Sequence, residues 1–332
     1  MSEFRWGILG AARIAERAFI PAVRAGREGE VVAVAARSGE RARAYARQHG
    51  ITRFHEGYEA LLADPDVDGV YIPLPNDVHV PLAIAALEAG KHVLVEKPVG
   101  LNAGEVEKLI AARDATGKLA LDGLMVRHHP QWQKARSLIR EGRIGALKSV
   151  QSAFSFGRVS PEDYRLDAGK GGGALLDIGI YCITAARYFF DEEPEAVIGQ
   201  LVRGPLGADH AFDGMMRFSG DRQASFTTAI DRVNYQRVHA FGETGHIQIA
   251  MPFNAPNGGL TRLYVSDGED LPGLGEAIAI PPANQYVELV DGFARAARGQ
   301  EVAPWPLEDA LATARVIDAF FRSAESGRWE SP

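Results

Sequence analysis

From Phe4 to about Leu124, short runs of valine, isoleucine and leucine alternate with alanine-rich stretches of helical period, and few folds accept that alternation. A strand buried on both faces reads as a continuous apolar run, and joining parallel strands needs a crossover that a helix supplies. The pattern predicts strands at 6–9, 31–35, 69–72, 92–95 and 119–121, with helices near 14–25, 40–49, 58–63, 78–89 and 103–114. Five such strands with right-handed crossovers make an α/β sheet suited to a nucleotide.

Past Arg127 the texture changes. A helix at 131–141 precedes a strand at 146–156, a glycine-rich stretch and a helix at 174–190. Segments 196–203, 214–218, 223–229, 236–242 and 247–251 alternate apolar and polar residues, as strands of an antiparallel sheet with one covered face do. Glycine and proline mark 257–259 and 271–282 as loops, and helices at 285–298 and 307–323 follow. At 332 residues the chain has room for two domains. They are expected at 1–124 and 125–332, the last helix being able to pack back on the first.

Lysine and arginine total 36 against 43 aspartates and glutamates, a net charge of −7. Binding nucleic acid takes clustered cations that displace counterions from phosphate, so no nucleic-acid partner is expected and small-molecule chemistry fits better. The one cysteine, Cys182, has no partner in the chain for a disulfide, as expected of a reducing cytoplasm. No signal-like segment opens the sequence and no uninterrupted apolar run reaches membrane length. A cytoplasmic protein without a membrane partner is the expectation.

The first strand runs into Gly10-Ala11-Ala12-Arg13-Ile14 and then a helix, a turn where backbone amides can meet a pyrophosphate. Ala12 stands where a second glycine would permit closest approach, and a purely structural turn fits the same letters. The second strand ends in Ala36-Arg37-Ser38, with Arg41 one helical turn on. A carboxylate there would bind the ribose of NAD, whereas a guanidinium and a hydroxyl suit a 2′-phosphate, so NADP is expected ahead of NAD. Two solvated surface arginines are the alternative. Pro73-Leu74-Pro75-Asn76 and His79 follow the third strand, and Glu96-Lys97-Pro98 follow the fourth. Both reach the carboxyl edge of the sheet, where ligands of such sheets bind. A stiffened loop and an exposed Glu–Lys pair are the bland readings.

The turn at 10–15, the proline-rich loop with Asn76 and His79, Glu96-Lys97-Pro98, and Gly171-Gly172-Gly173-Ala174-Leu175-Leu176-Asp177-Ile178-Gly179-Ile180-Tyr181 resemble, in order and spacing, the glucose-fructose oxidoreductase / inositol dehydrogenase (Gfo/Idh/MocA) family. The resemblance covers nearly the whole chain. It implies an α/β protein, an N-terminal Rossmann parallel sheet plus a C-terminal α+β domain with an open-faced, mainly antiparallel sheet, with substrate and nicotinamide between them. Many members carry Asp-x-x-x-His on the glycine-led helix. This chain has Asp177 and Tyr181, similar to the branch of glucose-fructose oxidoreductase, sugar 1-dehydrogenases and dimeric dihydrodiol dehydrogenases. Their spacing puts both on one helix face. The resemblance also implies that Tyr164-Arg165 matches an aromatic–arginine pair touching the cofactor, and that Arg127 and Tyr286 lie in segments reaching it. His128 and His129 lack a third ligand, so no metal is expected.

These residues suggest that Tyr181 is the general base on a sugar hydroxyl, that the Lys97 cation stabilises its phenolate, and that Asp177 orients Lys97 or a second hydroxyl. The reaction expected is NADP-dependent oxidation of an aldose at C1, for example xylose or glucose to the lactone. A trans-dihydrodiol dehydrogenase, a keto-sugar reductase and a nucleotide-sensing protein without turnover are the alternatives. A bare sheet face invites association, so a homodimer or homotetramer formed through the second domain is expected.

Overall fold

The first apolar run becomes β1 (Phe4–Leu9), and β2 (Gly29–Ala36), β3 (Arg53–Glu56), β4 (Gly69–Ile72), β5 (His92–Val95) and β6 (Ala120–Asp122) join it in a six-stranded sheet of order β3-β2-β1-β4-β5-β6. Every pairing is parallel. A computed structural model of the chain describes residues 3–157, 159–268 and 275–332. It divides into one unit of Met1–Met125 with Gln285–Leu311 and another of Val126–Asn284 with Ala312–Pro332. In the first unit a π-helical turn, Ala15–Phe19, runs into α1 (Ile20–Ala25), and α2 (Gly39–His49), α3 (Tyr58–Leu62), α4 (His79–Glu88) and α5 (Ala103–Thr116) follow. The strand order reverses between β1 and β4, which makes their carboxyl ends the place where such a sheet receives a ligand.

One expectation changes. The sheet has a sixth strand, β3, which the sequence hides because Arg53-Phe54-His55-Glu56 lies at the edge and is half-buried at most. α8 (Gln285–Ala297) returns to the first unit, and so does the first turn of the last helix, whose Glu308 pairs with Arg113 of α5. Phe293 of α8 packs on Phe4 and Trp6, with ring centroids 5.9 and 4.9 Å apart, and Asp291 accepts from the backbone amides of Arg27 and Glu28. From Ala312 on, that last helix, α9 (Leu307–Ser326), belongs to the second unit, where Phe320 is edge-on to Phe212 and Phe226.

The second unit contains α6 (Pro130–Arg140), β7 (Leu147–Ser155), a π-helical turn Leu175–Gly179 leading into α7 (Ile180–Phe190), then β8 (Ala196–Arg203), β9 (Asp209–Arg217), β10 (Gln223–Ala229), β11 (Tyr235–Gly242), β12 (His246–Ile249), β13 (Thr261–Ser266) and β14 (Glu276–Ile280). They form an eight-stranded sheet, β14-β13-β12-β11-β7-β10-β9-β8, antiparallel except for β7 with β10. β13 and β14 were not expected, and β9 begins before position 214. Residues 276–280 of the stretch read as a loop form the edge strand β14, whereas 271–274 of that stretch lie outside the described residues. Alternation decides which face is covered. Val150, Phe154, Phe212, Phe226 and Val238 are buried beneath the helices, and the opposite face, with Gln151, Asp213, Met215, Thr227, Tyr235 and Arg237, lines an open trough of about 970 Å³. Residues 168–190 are long and apolar enough to cross a membrane by composition, but 171–190 are all buried in the fold, as a core helix is.

Candidate active site

In the first unit the turn after β1 is shaped by Gly10. Its φ is +122°, and a Cβ there would come within 2.6 Å of Leu74 Cδ2, so glycine lets the proline-rich loop close against the turn. Ala12 N donates to Gly10 O at 2.9 Å, and Ala12 O accepts from the Tyr45 hydroxyl at 3.1 Å. Arg13 is exposed and Ile14 half-buried at the start of the helical segment, where free amide donors suit an anion. Arg41 Nη2 donates to Ala11 O at 3.0 Å, tying the first turn of α2 to this turn. Ser38 Oγ caps α2 by accepting from Arg41 N at 3.3 Å. Arg37 is exposed and makes no hydrogen bond or ion pair among the described residues.

The carboxyl ends of β4 and β5 are coupled through His79. This ring has no exposed surface; its Nδ1 lies 2.8 Å from Pro98 O and its Nε2 2.7 Å from Leu74 O. Burial holds the imidazole below its ordinary pKa, against the pull of the two carbonyls. This corrects the expectation of a cofactor contact: the inward side of α4 places His79 behind Pro73-Leu74-Pro75, where it fixes the loop rather than faces a ligand. Asn76, 2% exposed, opens the short turn before α4. Glu96 is held from within, its Oε1 accepting from the Tyr71 hydroxyl at 2.5 Å and its Oε2 from Lys97 N at 3.2 Å. Tyr71 is itself stacked on Phe19, with centroids 4.0 Å apart. Lys97 is half-buried at this sheet edge, and Tyr286 is half-buried near the start of α8.

In the second unit the glycine run packs under a short turn. A Cβ on Gly172 would meet Arg165 O at 2.5 Å, and Gly173 N donates to that same oxygen at 2.9 Å. Arg165 Nε donates to Asp177 Oδ2 at 2.7 Å, its Nη1 reaches Asp163 at 3.2 Å, and its guanidinium lies 4.9 Å from the Tyr164 ring centre. Burial works against the Arg165 charge, but Asp177, Tyr164 and Asp163 outweigh it and raise its pKa above the ordinary value. Asp177, 4% exposed, is thus a carboxylate paired with a fixed cation. Tyr181, one turn further, is 6% exposed and sits against Phe154 and Phe253, 5.6 and 5.4 Å away. Arg127 is buried. Burial, with help from Arg127 at His128, pushes His128 and His129 down to about 4, and His129 Nδ1 accepts from Gln131 N. Among the described residues no group of three His, Cys, Asp or Glu could hold a metal.

The structure therefore assembles the predicted residues into two groups: Gly10–Ile14, Leu74, Arg37–Arg41 and Glu96–Lys97 in one unit, and Tyr164, Arg165, Asp177 and Tyr181 in the other. Tyr45, Tyr71 and Asp209 support them and were missed, because their roles come from contacts distant in sequence; Asp163, missed as well, acts locally on Arg165. The run Gly171-Gly172-Gly173 was the available signal, since consecutive glycines mark close backbone approach.

Residues 4–123 match the model of the oxidoreductase family with an NAD-binding Rossmann fold, GFO_IDH_MocA, and residues 132–248 match the GFO/IDH/MocA C-terminal domain. An uncharacterized oxidoreductase of Rhizobium meliloti is 39% identical over the full length of both chains. D-xylose 1-dehydrogenase (NADP(+)) 2 of Haloferax volcanii is 33% identical over 97% of this chain and 98% of its own. A crystal structure of a 3-ketoreductase from Actinomadura kijaniata, in complex with NADP and TDP-benzene, superposes with a TM-score of 0.92 at 31% identity, covering 97% of this chain and 98% of the other.

Proposed function

Because the chain belongs to the Gfo/Idh/MocA oxidoreductase family, we propose that it is an NADP-dependent sugar dehydrogenase that oxidises the C1 hydroxyl of an aldose, such as xylose or glucose, to the lactone. The residues present fit the cofactor. Gly10–Ile14 would hold the pyrophosphate, and Arg37, which has no partner among the described residues, would take the 2′-phosphate where Ala36-Arg37-Ser38 offers no carboxylate. Pro73, Leu74, Pro75, Asn76, Glu96, Arg127, Tyr164, Arg165 and Tyr286 complete the proposed cofactor contacts, His79 acting from behind. The nicotinamide supplies the hydride acceptor.

In this reading Tyr181 takes the proton of the sugar hydroxyl. A phenol with an ordinary pKa of about 10 is a weak base at neutrality, so a cation is needed, and Lys97 would supply it while hydrogen-bonding the same oxygen. Asp177 is already neutralised by Arg165, so its role is to accept a hydrogen bond from the substrate or from Lys97 rather than to remove a proton. The observation that carries the reading is this acid–tyrosine pair on a buried helix, with Asp177 fixed by Arg165. Likeness to the 3-ketoreductase structure favours keto-sugar reduction as the second reading. Absorbance of the reduced nicotinamide, followed with NADP and NAD over aldoses, polyols and trans-diols and with NADPH over keto sugars, separates them. Turnover of an aldose with NADP preferred is expected; turnover confined to keto sugars or diols would replace the substrate class, and bound NADPH without turnover would favour a sensor. The open sheet face, where Met215 is 43% and Tyr235 44% exposed, is proposed as the surface that pairs with a second copy.

A further inference from the structure

We propose that Asp209 is a positioning residue for this reaction: from the start of β9 its carboxylate anchors the beginning of the helix that carries Asp177 and Tyr181, and so sets where those two side chains stand. The proposal rests on the reading of Asp177 and Tyr181 given above.

A helix start leaves amide donors without partners, and a serine, threonine, aspartate or asparagine just before it usually accepts from them. Here the preceding residues are Gly171-Gly172-Gly173-Ala174, and no side chain at Ala174 caps the turn. The acceptor comes from 34 residues away: Asp209 Oδ2 receives Leu175 N at 2.7 Å. Its other oxygen fills the space of the side chain that Gly173 lacks, since a Cβ there would lie 2.0 Å from Asp209 Oδ1. Gly173 also has a φ of +122°, so glycine is required there twice over. Asp177 N donates to Gly173 O at 3.0 Å, which puts Asp177 one turn from the anchored point and Tyr181 one turn beyond it.

Asp209 is 2% exposed. Burial pushes its carboxyl up to about 7, against the backbone amides and Arg203, which pull it down. The charged and titratable groups on the elements around it are Arg203, opposite it on β8, His210 beside it, Asp177 along the helix, and Arg165 and Asp167 on the turns before the helix. The ionised carboxylate is the stronger acceptor at a helix N-terminus, so the anchor weakens as Asp209 protonates in mild acid.

Two variants test this in the full-length protein. Asp209→Ala removes the anchor, and Asp209→Asn keeps a carbonyl acceptor but cannot ionise. With NADP and D-xylose, or the aldose turned over fastest in the panel above, Asp209→Ala is expected to lower kcat roughly 10- to 100-fold while the NADP KM stays within about twofold. Asp209→Asn is expected to keep more activity and to shift the midpoint of the acid-side fall of kcat, which Tyr181 alone then sets. Amide hydrogen exchange, which needs no substrate, should quicken roughly tenfold over 173–181 in Asp209→Ala and little elsewhere. Unchanged exchange over that segment, wild-type kcat in Asp209→Ala, or an acid limb in Asp209→Asn at the wild-type midpoint would each overturn the proposal. If Asp209→Ala fails to fold, Asp209→Asn decides through its pH profile and exchange. If wild type turns over no substrate in the panel, exchange still decides the anchor, and the catalytic role of Asp209 falls with the reading of Asp177 and Tyr181.

Discussion

Arg37 and Lys97 carry the most at the scale of single residues. An exposed guanidinium without a partner at the end of β2 binds a phosphate without first breaking an ion pair. Arg37→Ala is therefore expected to raise the NADP KM roughly 10- to 100-fold with little change for NAD; initial rates with both cofactors check it, and an unchanged ratio contradicts it. Lys97→Met should lower kcat by roughly 10²- to 10⁴-fold, the usual worth of a proton-transfer partner, without weakening NADPH binding measured by fluorescence. Near-normal turnover with an unaltered pH profile would remove Lys97 from the mechanism. Lys97, Asp177 and Tyr181 could be proposed from the sequence because each sits in a local run of recognisable order. Asp209 could not, because its meaning depends on a contact with Leu175 that no local pattern encodes.

Elements show the same division. The central strands of the first sheet and its alanine-rich helices were readable because burial on both faces writes itself as apolar runs. β3 and β14 escaped because each is an edge strand, and β14 lies within a proline- and glycine-marked stretch. The return of α8 to the first unit was not foreseen, since an amphipathic helix shows that it has an apolar face and not which partner covers it. The loop after β4 and the turn after β5 are joined by His79 through two carbonyls. A neutral imidazole donates to one of the two, so His79→Ala leaves that oxygen unpaired and should cost roughly 1–3 kcal/mol, measured by urea unfolding. Stability equal to wild type would show that the clamp contributes nothing.

On the scale of the whole molecule, the second unit covers one face of its sheet with helices and leaves the other as an open trough of about 970 Å³. Long bare sheet faces are commonly covered by a second copy. Light scattering should give a dimer or tetramer, and Met215→Glu, which places a charge on that face, should shift it toward monomer; a monomeric wild type would contradict the pairing. The central claim is hydride transfer from a sugar carbon, and its most direct test follows the atom itself. With D-xylose deuterated at C1 and NADP, the account expects deuterium in the reduced cofactor, detected by mass spectrometry, with both the label and the turnover lost in Tyr181→Phe. Reduced cofactor without deuterium, or deuterium transfer at an undiminished rate in Tyr181→Phe, would contradict it.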